Sequence, residues 1–498
     1  MLVAGIDSST QSTKVLLCRA EDGAVVGQAT APHPDGTEAD PELWWRALLA
    51  AGAGLLDRAE AVGVAAQQHG MVALDSDGEV VRPALLWNDM RSAPQARALV
   101  DEIGPAEWAR RTGSVPTMSF TVTKLRWLAE REPANAARTA AVVLPHDWLS
   151  WRLRGGIGER TRAAGKPRAR EGPDREAELV TDRGDASGTG YFATAEGTWL
   201  PEMAEAALGH PVRLPRVARP GEAVGETGRG AVVSAGTGDN MGAALGLGVD
   251  AGEVVVSIGT SGTAYAVAAA PVADASGAVA GFADATGRFL PLVATVNAAR
   301  VLTVTARMLG TDSDGLSRLA LAAPPGAGGL VMLPYLDGER TPNRPGATGV
   351  LRGLTSGNTT PENLARAAVE AVLCSLADAV DHLAGCGIAP ERVILIGGAA
   401  RSEAVRAIAP TIFGVPAVVP AAGGGPGPGG PPPGPPEWVA LGAARQAAWA
   451  ASGAAAGPPA WPRPAGATYT GRPCPEVRGR YAALRDDTAR WHEKLDRP

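Results

Sequence analysis

Near the start of the chain, apolar residues come in three short runs, 3–6, 15–17 and 25–30. A small polar stretch at 7–13 and the triplet Glu21-Asp22-Gly23 separate them. Runs of this length bounded by turn residues predict three strands, the last two joined by a hairpin turn. Asp40 followed by Pro41 supplies a cap and a first-turn proline for an Ala/Leu-rich segment, predicting helix to about residue 60. Residues 61–66 and 84–86 then read as buried strands, with a turn at 75–78. Strands mixed with helices in this order predict an α/β domain whose sheet begins with an antiparallel meander.

Around residue 248 the pattern begins again. The apolar run 253–258 leads into Gly259-Thr260-Ser261-Gly262-Thr263 and a second apolar run, 264–267. This repeats the opening arrangement of strand, Ser/Thr/Gly turn and strand. Apolar residues at helical spacing, from Leu364 through Ala368, Val372, Leu376 and Val380 to Leu383, predict a helix over 361–383. A β-rich run at 392–396 ending in Gly397-Gly398 follows, then helices at 401–413 and 437–450. The expected organisation is therefore a first domain over 1–247, a second over 248–452 and a tail from 453 to 498. Two segments lack any apolar period: 155–178, rich in Arg, Gly and Glu, expected as a flexible surface insertion, and 421–436, almost entirely Gly and Pro, expected as a loop.

Composition narrows the partners. Across 498 residues there are 46 Lys and Arg against 52 Asp and Glu, a net charge of -6. Nucleic acid and anionic membranes reward a basic surface, so neither is expected. The four cysteines, Cys18, Cys374, Cys386 and Cys474, are far apart and form no CxxC or Cys/His group, which favours reduced thiols. No apolar run is long enough to span a bilayer, and no signal peptide is evident, so a soluble, cytoplasmic protein is expected.

Four places carry candidate chemistry. The turn from Asp7 to Lys14 gathers hydroxyls, backbone amides and an ammonium, the donors that phosphate oxygens accept, and Gly259 to Thr263 offers a similar set. One such turn is common; two, one per expected domain and each between strands, point to a nucleotide. GxxxxGK[ST] is absent, which excludes a P-loop enzyme. Asp7 ends the first strand, where a carboxylate can hold Mg²⁺. Asp239 lies in Gly236-Thr237-Gly238-Asp239-Asn240 after an apolar run. Alone, that pentapeptide is better explained as a helix cap, whereas beside two phosphate-type turns it suits a base for an alcohol acceptor. Gln67-Gln68-His69-Gly70 and Trp87-Asn88-Asp89-Met90-Arg91 each follow a predicted strand and could line a polyhydroxylated ligand. Gly397-Gly398-Ala399 at a strand-to-helix turn lets backbone lie against a flat base or ribose, although a simple tight turn explains it equally well.

In order along nearly the whole chain, these elements resemble the FGGY family of carbohydrate kinases. The matching positions in the first half are Gly5-Ile6-Asp7 with Thr10 and Lys14, Asp40-Pro41-Glu42 with Trp44-Trp45, Gln68-His69-Gly70, Trp87-Asn88-Asp89 with Arg91, Leu144-Pro145 with Asp147, and Asp185 with Gly188-Thr189. The second half adds Gly238-Asp239-Asn240, Ser257 through Gly262, Leu333-Pro334-Tyr335 with Gly338 through Pro342, and Gly397-Gly398 with Ala400-Arg401-Ser402. The QHG and WND segments are most similar to the branch that phosphorylates D-xylulose. The resemblance implies an α/β chain of two ribonuclease-H-like (actin-like ATPase) domains with a cleft between them, using ATP and Mg²⁺. It implies Asp239 as the base toward the sugar's C5 hydroxyl and Asp7 as the metal-organising carboxylate. Thr10, Thr13 and Lys14 correspond to the first phosphate loop and Thr260 to the second. Gln68 and His69 correspond to the sugar-binding pair, supported by Asn88 and Asp89, and Gly397, Gly398 and Ala399 to the adenosine site. A homodimer is compatible with this reading. So are two other functions: a kinase of the same fold acting on ribulose or glycerol, and an actin-fold ATPase needing no sugar.

The chain departs from the family pattern in four places. Ser9 stands where glycine is usual, which would strain a turn needing positive φ. Gln67-Gln68 replaces the common Gln-Met, and the segments 155–178 and 421–436 are longer than expected.

Overall fold

The computed structural model describes residues 1–156, 177–421, 437–453, 457–463 and 465–491. The expected insertion and Gly/Pro loop fall almost wholly outside these residues. The described chain forms two compact units. One contains Met1–Gly248, Ala269–Leu290 and the described part of 422–463; the other contains Val249–Ala268, Pro291–Ala421 and the described part of 464–498.

The first unit is built on strands β1 (Leu2–Ser8), β2 (Ser12–Arg19), β3 (Val25–Pro32), β4 (Ala61–Ala66), β5 (Ala223–Glu226) and β6 (Val232–Ser234), in the order β5-β6-β4-β1-β2-β3. A two-residue strand, β7 (Thr237–Gly238), also pairs with β4. β1, β2 and β3 form the predicted antiparallel meander, and β4 runs parallel to β1. Helix α1 (Pro41–Gly52) opens as expected, with the Asp40 carboxylate accepting from the Glu42 amide at 3.0 Å. It ends at Gly52 rather than near residue 60, because Gly54 turns the chain at φ +72 and a short 3₁₀ turn, Leu56–Arg58, follows. The remaining helices used below are α2 (Thr121–Arg131), α3 (Pro145–Leu153), α4 (Arg183–Ala186) and α5 (Asp239–Leu247).

The second unit repeats the scheme. Strands β8 (Glu253–Ile258), β9 (Gly262–Ala266) and β10 (Phe289–Thr295) are antiparallel neighbours, and β11 (Arg392–Ile396) lies parallel to β8. β12 (Ala417–Pro420) and β13 (Gly466–Tyr469) extend the same sheet. Val254, Val255, Val256 and Ile258 are all buried, as befits a central strand covered on both faces. Helix α6 (Pro361–Gly385) carries the predicted apolar spacing, capped by Thr360, and α7 (Glu403–Phe413) is capped by Ser402.

The Ala-rich helix α8 (Trp438–Ala451) groups with the first unit, whereas the sequence placed it in the second domain. Side-chain alternation along β1 and β2 explains why. Ala4, Ile6, Val15 and Leu17 face one way and pack with Trp44 and Leu48 of α1. Val3, Leu16 and Cys18 face the other way and pack with Ala440, Ala444 and Ala447 of α8. Gly5 sits on that second face, where an added Cβ would lie 1.9 Å from the Ala440 carbonyl oxygen. Only glycine there lets α8 lie directly on the strand.

Candidate active site

Strand register brings sequence-distant residues to one edge of the first sheet. Ser8 of β1 and Gly238 of β7 both pair with Ala66 of β4. The turn after β1, the Gln67-Gln68-His69 segment after β4 and Asp239 after β7 therefore emerge side by side. Ligands of α/β sheets gather beyond such carboxyl ends of parallel strands.

Asp7 and Lys14 are register partners on the α8 face. The Lys14 ammonium is 3.6 Å from Asp7 Oδ2 and 2.7 Å from Oε2 of Glu437, the residue before α8. Asp7 is buried, and its Oδ1 accepts from Ser9 Oγ at 2.6 Å. Burial pushes its pKa up to about 6, opposed only in part by Lys14. A buried carboxylate whose neighbouring cation is shared with Glu437 fits a hard divalent cation. Among the described residues no three His, Cys, Asp or Glu gather into a metal cage. A Mg²⁺ ion at Asp7 would thus draw its other ligands from phosphate oxygens and water, its usual habit.

Ser9 is not strained. The only described non-glycine residues with positive φ are His69 and Ala327, so the loop adopts a path serine accepts and gains a hydroxyl donor for Asp7. Thr10 turns toward the Gln67 and Trp87 segments rather than standing free: its hydroxyl accepts from Trp87 Nε1 at 2.9 Å and donates to Gln67 Oε1 at 3.4 Å. Thr13 does not line the loop. It shares the inward face of β2 with Val15 and Leu17, is wholly buried, and bonds His33 Nε2 at 2.8 Å and Ser8 Oγ at 3.4 Å. Its side chain is structural, correcting its expected place as a phosphate contact.

Asp239 is the first residue of α5, whose N-cap is Gly238. Its Oδ1 accepts from the Asn240 amide at 2.7 Å and Asn240 Nδ2 at 2.8 Å. Burial, then the charge of Asp7, pushes its pKa up to about 7. Asn240 Nδ2 also donates to Gln68 Oε1 at 3.0 Å, which leaves Gln68 Nε2 buried without a hydrogen-bond partner. A buried donor left open beside a candidate base is where a ligand hydroxyl oxygen would accept a hydrogen bond. From the other side, Gln446 of α8 brackets the turn: Nε2 donates to the Gly236 carbonyl at 2.9 Å, and Oε1 accepts from the Gly236 amide at 3.0 Å.

His69 takes the left-handed conformation, φ 67. Its Nδ1 is 2.7 Å from the Gly188 carbonyl, and its ring leans on Phe120 with centroids 4.9 Å apart. Lys124 of α2 is fully buried and donates to the His69 carbonyl at 3.2 Å, a support the sequence analysis missed. The WND segment divides its work. Asp89 is locked by Arg91 Nε at 2.8 Å and Thr37 Oγ1 at 2.8 Å, so it holds the wall together. Asn88 donates to the Gly36 carbonyl at 3.4 Å, and its Oδ1 lacks a partner.

In the second unit, β8 and β11 are parallel neighbours with Ser257 opposite Ile396, which sets the Gly259-Thr260-Ser261 turn beside Gly397-Gly398. Thr260 is exposed at the turn's tip. Gly397, at φ +88, lies against Ile258, where a Cβ would come within 2.7 Å of its backbone. Gly398 opens to space, and Ala399 is half-buried beside it. A phosphate-type turn next to a flat glycine shelf is the arrangement a nucleotide needs.

Residues 2–248 match the N-terminal domain model of the FGGY family of carbohydrate kinases, and residues 254–451 match its C-terminal domain model. The chain belongs to the FGGY family of carbohydrate kinases. It is 45% identical to the xylulose kinase of Streptomyces coelicolor over 84% of this chain and 85% of that one. It is 46% identical to the xylulose kinase of Streptomyces rubiginosus over 81% of each. Among solved structures, the xylulose kinase of Bifidobacterium adolescentis superposes with a TM-score of 0.84 at 42% identity, covering 97% of this chain and 99% of that one. The kinase thus has the two-domain, actin-like α/β fold of its family and uses ATP. No described helix is long and apolar enough to cross a membrane.

Proposed function

We propose that this kinase transfers the γ-phosphoryl group of ATP to the C5 hydroxyl of D-xylulose, with Asp239 as general base. The observation that carries the base assignment is the Asp239 carboxylate itself. Asn240 fixes one oxygen, the other is left for an acceptor hydroxyl, and the pKa near 7 suits proton acceptance at neutral pH. As the sugar oxygen bonds to the γ-phosphorus and the bond to the β-phosphate oxygen breaks, the hydroxyl proton passes to Asp239 and ADP leaves. Gln68 Nε2, His69 and Asn88 orient the ketose, with Asp89 and Trp87 behind them. Lys14, the amides of the Ser9-Thr10 turn and the Thr260 turn neutralise phosphate charge, while Gly397, Gly398 and Ala399 take the adenosine. Mg²⁺, when held at Asp7, supplies further charge neutralisation on the phosphates.

D-Xylulose as the acceptor is supported by the relatives named above and by a wall rich in amide and imidazole groups. The kinase acts in this reading in the cytoplasm, where ATP and reduced thiols coexist. Measuring ATP turnover with D-xylulose, D-ribulose and glycerol tests it. The highest kcat/KM is expected with D-xylulose. A higher value with either other acceptor, or turnover independent of any acceptor, would overturn the assignment.

A further inference from the structure

Beneath the candidate base lies a buried polar cluster that the reaction described above does not use. Asp182 caps the short helix α4, its Oδ1 accepting from the Asp185 amide at 2.8 Å and its Oδ2 from the Gly184 amide at 2.9 Å. The same Oδ2 accepts a third hydrogen bond, from Thr237 Oγ1 at 3.0 Å. Thr237 is fully buried and stands two residues before Asp239. A carboxylate oxygen shared between a helix cap and a neighbouring strand ties the two rigidly together.

The segment carrying Asp182 is itself held by His146 of α3. The ring is wholly buried, with Nδ1 2.8 Å from Asp185 Oδ2 and Nε2 3.1 Å from Asp147 Oδ1 and 3.9 Å from Asp182 Oδ1. Burial alone would lower the imidazole pKa, but Asp147, Asp185 and Asp182 more than offset it and hold it above the usual range. The ring's hydrogen bond is the one from Nδ1 to Asp185; Nε2 lies near Asp147 and Asp182 without making one. Gly236, at φ +81, lies flat on the imidazole, where a Cβ would be 2.3 Å from Cδ2. The backbone of the base turn therefore rests on His146 while its Thr237 side chain is tied to Asp182. Six residues after Asp182, the Gly188 carbonyl meets His69 Nδ1 at 2.7 Å. One segment touches both the base turn and the sugar wall.

We propose that Asp182 is a positioning residue for Asp239: its bond to Thr237 sets the direction in which the base leaves β7, and the buried His146 ring holds the Asp182 segment in register. The idea rests on Asp239 being the base. Thr237 is fully buried and its hydroxyl is given to Asp182, so its loss should leave sugar binding alone and misplace only the proton acceptor. A misplacement of about 1 Å costs on the order of a hundredfold in rate.

The test is steady-state kinetics on Thr237→Val, Thr237→Ser and Asp182→Asn in the full-length kinase, with Thr237→Val repeated in an Asp239→Asn background. Thr237→Val is expected to lower kcat by about ten- to a hundredfold with the sugar KM unchanged. Thr237→Ser should restore it, Asp182→Asn should repeat the kcat-only loss, and Thr237→Val should cost nothing further once Asp239 is Asn. Wild-type kcat in Thr237→Val, even with a lowered melting temperature, would overturn the proposal. So would a loss that serine does not restore, or one of the same size in the Asp239→Asn background. If Asp239→Asn alone keeps normal turnover, the base assignment fails first, and that result is distinct from the others.

Discussion

Gly442 of α8 allows a prediction in which two opposing effects can be weighed. Alanine in a helix interior is favoured over glycine by about 1 kcal/mol, so propensity alone makes Gly442→Ala stabilising. The packing says otherwise. A Cβ on Gly442 would lie 1.8 Å from the Gly242 carbonyl oxygen of α5 and 3.0 Å from the Gly246 amide. On the opposite side, a Cβ on Gly246 would lie 2.1 Å from the Trp438 carbonyl oxygen. The obstruction is main chain on main chain, and the two helices would have to part by more than about 1 Å. Overpacking of this kind costs about 1–3 kcal/mol and sometimes more, and with no side chain able to yield the upper end applies. The net expectation is destabilisation by about 2 kcal/mol, with a fall in kcat because α5 begins at Asp239. Urea unfolding followed by tryptophan fluorescence measures it, each unit's transition being fitted separately where two are resolved. Gly385→Ala is the control: it ends α6, a Cβ there meets nothing within 4 Å, and it should stabilise the second unit by about 0.4–1 kcal/mol. A Gly442→Ala kinase as stable as wild type would refute the reasoning.

Three further outcomes are expected. Because Asp239 titrates near 7, kcat/KM should fall as pH drops below about 7, approaching tenfold per unit, and a flat profile from pH 5 to 8 would contradict this. Gln68→Ala removes the open Nε2 donor and should raise the sugar KM about three- to tenfold, the worth of one hydrogen bond, with the KM for ATP unchanged. Thr13→Val should lower stability by about 1–3 kcal/mol through the loss of the His33 partner while leaving the ATP KM intact; a raised ATP KM would return Thr13 to the phosphate loop.

Much of this was legible in the sequence, and the failures have identifiable physical causes. Strands at Ala61–Ala66, Glu253–Ile258 and Arg392–Ile396 fall where apolar runs bounded by turn residues placed them. The convergence of Asp7, Gln68 and Asp239 follows from parallel pairing, which a family resemblance can carry but local pattern cannot. Thr13 was misplaced by overlooking parity: on a strand it shares a face with Val15 and Leu17, while Lys14 takes the opposite face with Leu16. Period-two reasoning applied to the turn's end would have found this. The return of α8 to the first unit was hidden because its contacts with β1 depend on Gly5, whose significance is the absence of a side chain. Lys124 and His146 were missed because charged residues on otherwise apolar helix faces look like surface positions until their buried partners are known. Lys124 does sit at helical spacing with Thr121 and Leu128, all three buried, and that was the available signal.

The raised pKa of Asp239 also carries a stability consequence. Its folded pKa lies above that of an unfolded aspartate, so the folded state binds more protons between about pH 4 and 7, and stability is lost as pH rises through that window. Asp239→Asn should therefore fold at least as well as wild type at pH 8, which makes it a clean variant for the central claim. The decisive measurement is its turnover with D-xylulose beside calorimetric sugar binding. If Asp239 is the base, sugar affinity stays near wild type while kcat falls by about 10²- to 10⁴-fold. Near-normal turnover with sugar binding intact would mean that another group takes the proton.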